Sequence, residues 1–136
     1  MKRTVLLNRH LSALVASLGH LDEIVIADAG LPVPKGVDVI DLAVSPRVPG
    51  FFEVLNALRS ELVIEAVVWA EEAAQEVSAT MQGEIDDWST QTKRQIVVSK
   101  VPHVDFKKRT EQARAVIRTG EVVPYSNIIL VSGVPF

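Results

Sequence analysis

The sequence has no cysteine, which excludes disulfides, thiolate chemistry and cysteine-ligated zinc, and gives no sign of secretion. Aromatic residues make up only 5% of it. No apolar run reaches the length of about 18 residues that a transmembrane helix needs, so no membrane association is expected. No basic cluster occurs and the net charge is −3, which argues against nucleic acid as a partner. The glycine patterns GxGxxG and GxxxxGK[ST] are missing, so no dinucleotide or nucleoside triphosphate site is visible. There is no GxSxG nucleophile turn either. The three histidines, His10, His20 and His103, lack metal-ligand spacing, and no metal or cofactor is expected. The N-terminal stretch starts basic and partly apolar. Asn8, Arg9 and His10 interrupt it, however, and Leu18-Gly19-His20 is a poor cleavage site, so the expected compartment is the cytoplasm.

What is present is a chain of 136 residues, 48% hydrophobic, with Val, Leu, Ile and Ala supplying most of that fraction. The length favours one domain spanning residues 1–136. The aliphatic surplus suits strands covered on both faces and also suits apolar surface buried between subunits.

Asn8 is a good N-cap for a first helix. Leu11, Leu14, Val15 and Leu18 then fall on one face, and Gly19 sits where a left-handed residue would end it. Glu23 to Asp28 reads as a buried strand with a polar end. The loop Ala29-Gly30-Leu31-Pro32-Val33-Pro34 follows, stiffened by its prolines. Further strands are expected at 37–44, 62–69, 95–101 and 126–133, and helices at 51–60, 71–81 and 103–118, the last closed by Gly120. Residues 83–94 are polar and carry no clear period. About five strands alternating with about four helices argue for an α/β layer structure, in which ligands collect where loops leave the strand ends.

Several chemically capable residues fall at such loop ends. His20 occupies the corner between the first helix and strand, with Asp22 two residues on as a candidate to orient its ring. Histidine titrates near neutral pH and can pass protons in both directions. Asp28 ends the strand, and a carboxylate there can hold neighbouring sugar hydroxyls. His103 opens a helix and Lys107 lies one turn later on the same face. Tyr125 and Asn127 flank Ser126 just before the last strand and offer a phenol and an amide to a polyol. Each also has an ordinary structural explanation: Asp28 as a turn cap, His20 and His103 as surface histidines, Lys107 as a solvated cation, Tyr125 as packing. Residue by residue, the sequence supports a polar pocket at loop ends.

The ordered set of motifs is more specific. Gly19-His20, Asp28-Ala29-Gly30-Leu31-Pro32-Val33-Pro34, Ala115-Val116-Ile117-Arg118-Thr119-Gly120-Glu121 and Pro124-Tyr125-Ser126-Asn127-Ile128-Ile129-Leu130 together resemble the D-ribose pyranase family, from Leu7 to the C-terminus. The resemblance weakens only around Ser78 to Gln95. It implies a three-layer α/β fold with a mixed β-sheet packed between helices. The implied activity is an isomerase that interconverts the pyranose and furanose forms of D-ribose by opening the ring. It further implies His20 as proton donor, with Asp28, His103, Lys107, Tyr125 and Asn127 around the monosaccharide. The implied assembly is a ring-based homo-oligomer, typically a decamer, with the site at a subunit interface and the Tyr-x-Asn segment reaching it from a neighbour. Leu21, Pro102 and Ser126 depart from residues common in the family, and none of them removes a group that the chemistry needs. The related L-fucose mutarotases tend to read Asp-Ala-His-Phe-Pro where this chain has Asp28-Ala29-Gly30-Leu31-Pro32, which favours ribose. Two other readings are an L-fucose mutarotase and a non-catalytic sugar-binding accessory of ribose uptake.

Overall fold

The computed structural model describes residues 1–136. Its centre is a six-stranded sheet in the order β2-β5-β1-β6-β3-β4. The strands are β1 (Glu23–Ala27), β2 (Asp38–Asp41), β3 (Ile64–Ala70), β4 (Val97–Val101), β5 (Ala115–Arg118) and β6 (Ile128–Ser132). β1 runs parallel to β5, β5 to β2, and β3 to β4. β6 alone is reversed and pairs antiparallel with both β1 and β3. The sheet is therefore mixed, as the family resemblance implies.

Alternation along each strand divides the core in two. Ile24, Ile26, Val67, Trp69, Ile117, Ile128 and Leu130 face a cluster with the helices α1 (Arg9–Ser17), α2 (Phe51–Arg59) and α3 (Gln75–Thr92). Val25, Ala27, Val68, Val116 and Ile129 face the other way, onto Phe106 of α4 (His103–Arg109) and Leu31 of the proline-rich loop. Burial on both faces explains why β1 and β6 read as unbroken aliphatic runs.

The first two helices follow their sequence signals. The Asn8 side chain accepts from the His10 and Leu11 amides at 2.9 and 3.0 Å. The carboxylate of Glu53 reaches back to the Gly50 amide at 2.9 Å and starts α2, whose Phe51, Val54, Leu55 and Leu58 are buried. Three expectations are corrected. Gly19 is not a left-handed helix end: α1 closes at Leu18 in an extended conformation, and the positive φ falls on Leu21, at 67°. The helix expected over 71–81 starts at Gln75 and runs on to Thr92 through the polar stretch. Its buried stripe is only Met81, Ile85 and Trp88, one residue per turn, and the Trp88 indole donates to the Leu62 carbonyl at 3.0 Å.

The third correction is the largest. The helix expected over 103–118 stops at Arg109, and Ala115–Arg118 is a strand between β2 and β1. A short 3₁₀ turn over Thr110–Gln112 makes the change. Arg109 is tied to Glu23 at the start of β1 by bonds of 2.6 to 3.2 Å, and that hydrogen bonding holds its guanidinium above its ordinary pKa. The pair fixes where α4 ends and leaves the next residues free to pair with the sheet. Gly120 consequently closes no helix. It lies where the exit from β5 crosses the loop 45–49: its amide donates to the Pro49 carbonyl at 2.8 Å, and a Cβ there would sit 2.5 Å from the Ser45 carbonyl oxygen.

Candidate active site

Strand directions decide what meets what. The C-terminal ends of β1, β3, β4 and β5 share one edge of the sheet with the N-terminal end of β6. Asp28 follows β1, His103 follows β4, and Tyr125 and Asn127 precede β6. These four, with Lys107 on α4 and Glu121 after β5, line one cavity of about 630 Å³.

Asp28 and Asn127 form its rigid floor. The Asn127 carbonyl oxygen accepts from the Asp28 amide at 2.8 Å, and its NH2 donates to Asp28 Oδ2 at 3.1 Å. The Gly30 amide donates to Asp28 Oδ1 at 3.0 Å, so both carboxylate oxygens are oriented. Asn127 is buried at 1% exposure, which leaves that side chain little freedom. Tyr125 is held with φ 61°, a conformation a tyrosine adopts rarely and one that concentrates at functional sites. Its ring meets the His103 ring edge-on, with centroids 4.9 Å apart. His103 Nδ1 is buried without a protein hydrogen-bond partner. The His103 amide donates to the Glu72 carboxylate at 2.7 Å. Glu72 thereby places α4 against the segment that follows β3. It carries no periodic or motif signal, and only the fold reveals it. Glu121 ends one of the motifs read in the sequence, which assigns it no role at the site. Its carboxylate accepts from the Val122 and Val123 amides at 2.9 and 3.0 Å and shapes the loop leading to Tyr125.

His20 is elsewhere. It precedes β1, whereas Asp28 follows it. Five residues of strand separate the two edges by roughly 16 Å at about 3.3 Å per residue. The His20 ring is half-exposed and Nε2 lies 2.9 Å from Glu65 Oε1. Asp22 does not touch the ring. Its carboxylate instead accepts from the Gly19 amide at 2.8 Å and from Arg114 at 2.7 Å, so it fixes the corner and Glu65 meets the imidazole. The structure thus brings together five of the six expected residues and puts the sixth on the opposite edge of the same chain. Tyr125 and Asn127 line the same cavity as Asp28 within one chain. No three His, Asp or Glu side chains converge as ligands of a metal ion would, and no helix is long and apolar enough to cross a membrane.

An anionic, hydrogen-bonding cavity with a phenol, an imidazole and an ammonium at its rim suits a neutral polyol. Known proteins agree with that chemistry. The sequence matches the RbsD / FucU transport protein family over residues 1–135. It is 45% identical to the D-ribose pyranase of Glaesserella parasuis over the full length of both chains. Among solved structures, Bacillus subtilis RbsD complexed with D-ribose superposes with a TM-score of 0.89 at 41% identity, again over all of both chains. The fucose mutarotase of Streptococcus pneumoniae in complex with L-fucose gives 0.80 at 23% identity, covering 98% of this chain and 99% of the other. At that identity the likeness is one of fold.

Proposed function

This chain belongs to the RbsD / FucU transport protein family, and from that premise we propose that it is a D-ribose pyranase, a mutarotase interconverting the pyranose and furanose forms of D-ribose. One observation carries the reading. A chain 45% identical to a D-ribose pyranase along its whole length gathers Asp28, His103, Lys107, Tyr125 and Asn127 around one polar cavity.

Ring opening needs a proton on the ring oxygen and the loss of one from the anomeric hydroxyl. His20 supplies the first. His103, with its unpartnered Nδ1, or a bound water accepts the second. Asp28, oriented by Asn127 and Gly30, holds adjacent hydroxyls. Lys107 and Tyr125 keep the open aldehyde from leaving before it closes through another hydroxyl. A positioned acid or base contributes ~100- to 10,000-fold, enough to outrun a reaction that already proceeds in water.

His20 is on the edge opposite the cavity, so a second copy of the chain supplies it, and the working unit is a homo-oligomer with its site between subunits. The exposed apolar residues Leu21, beside His20, and Val122, at the cavity rim, are consistent with such contact. A decamer is the assembly we propose, and the cytoplasm the compartment.

The test is saturation-transfer NMR on D-ribose. His20→Ala is expected to reduce anomer exchange to the uncatalysed rate while the assembly keeps its size. Exchange at the wild-type rate in that variant would overturn the role of His20. Faster exchange on L-fucose than on ribose in the unmodified protein would overturn the substrate.

A further inference from the structure

β3 contains one residue too many for its partner. Ile64 pairs with Ser132 and Ala66 with Val131, so Glu65 has no partner of its own on β6. Ile64 and Val67 both face the helical core, a spacing of three where a flat strand gives two. Such a bulge turns one side chain out of the ladder and is common beside active sites. Here the side chain turned out is Glu65, and both of its oxygens meet His20 Nε2, at 2.9 and 3.1 Å.

The two partners are held by the same end of β6. The Leu21 amide donates to the Ser132 carbonyl and the Ser132 amide to the Asp22 carbonyl, each at 2.8 Å, which fastens the His20 corner. The Gly133 amide donates to the Val63 carbonyl at 2.9 Å, and a Cβ on Gly133 would come 2.8 Å from Glu65 Cγ. Gly133 therefore leaves the room that the Glu65 stem occupies. No lysine or arginine competes for this carboxylate, which makes its ion pair with His20 alone.

Taking His20 as the proton donor, as proposed above, we infer that Glu65 is its positioning residue and that His20 works through Nδ1. A carboxylate can only accept, so Nε2 must keep its hydrogen. The neutral ring is then the Nε2–H tautomer, with its lone pair on Nδ1. In the charged ring Nδ1–H gives its proton to the ring oxygen. The bond from that oxygen to the anomeric carbon breaks, and its electron pair stays on the oxygen. The anomeric hydroxyl loses its proton to the base across the site as the aldehyde forms. On closure the attacking hydroxyl returns a proton to Nδ1 and the aldehyde oxygen regains one from the base. Nε2 and Glu65 exchange nothing throughout.

The intact protein, labelled with ¹⁵N-histidine, is measured first. The neutral His20 ring is expected to show the Nε2–H tautomer in wild type and a mixture in Glu65→Ala. By saturation transfer on D-ribose, Glu65→Ala should lose at least about tenfold in kcat, part of the ~100- to 10,000-fold that a positioned acid or base contributes, with KM little changed because Glu65 holds no part of the sugar. Glu65→Gln, whose amide oxygen still accepts from Nε2, should lose less. An Nδ1–H tautomer in wild type overturns the proposal without needing any variant to fold. So does wild-type kcat in Glu65→Ala while His20→Ala is inactive. An active His20→Ala would instead overturn the donor role, and this proposal with it; the tautomer spectrum would then report the Glu65 contact alone.

Discussion

Asn127 shows how one side chain can serve both fold and site. It is buried, accepts the Asp28 amide and donates to the Asp28 carboxylate. Asn127→Ala leaves that amide without a partner, which costs about 1–3 kcal/mol, and frees the carboxylate to turn. The expected outcome is a lowered unfolding midpoint together with weakened ribose binding by calorimetry. Tyr125→Phe should spare the midpoint and affect exchange alone, because the Tyr125 hydroxyl holds nothing within the chain. Asp28 and Asn127 were legible in the sequence because a family motif runs through each. Their mutual bond was not, since nothing in sequence relates residues 99 positions apart. Glu65 was illegible for a different reason. Its importance comes from a slip in strand register, and register is set by pairing rather than by local composition.

Among the elements, those with a strong local signal were read correctly. β1, α2, β3 and β6 have dense apolar runs or a clear helical face, and α1 has a side-chain cap. α3 and β5 depart from their sequence signals for opposite reasons. α3 buries a stripe so narrow that its polar half gave no period. Ala115–Arg118 is a short apolar run, and length is what separates a buried strand from a buried helix turn. It became a strand because β1 and β2 both pair with it. The Gly120 crossing belongs to this scale. Gly120→Ala would drive a methyl group to 2.5 Å from the Ser45 carbonyl oxygen and 2.6 Å from that of Val48, both of them backbone atoms that cannot swing aside. The expected cost is about 1–3 kcal/mol, typical of overpacking. Thermal unfolding measures it, and an unchanged midpoint would show that the loop 45–49 yields freely.

At the scale of the whole molecule, strand direction separates the proposed acid from the sugar cavity. β1 has His20 before it and Asp28 after it, so no rearrangement short of unfolding could join them in one chain. A mixing experiment follows. His20→Ala and Asp28→Ala should each be inactive alone. Dissociated and reassembled together, they should regain a fraction of wild-type exchange, because some interfaces then pair an intact cavity with an intact imidazole. Continued inactivity in verified mixed assemblies would overturn the role of His20 as the acid at a neighbouring copy's cavity.

On the proposed reading, a polypeptide whose acid and sugar cavity lie on opposite rims is a poor catalyst in solitude, however well folded. Its specific activity should therefore decline on dilution, at concentrations where each separated chain still shows a native circular dichroism spectrum. Such a decline would mark turnover as a property of the encounter between copies.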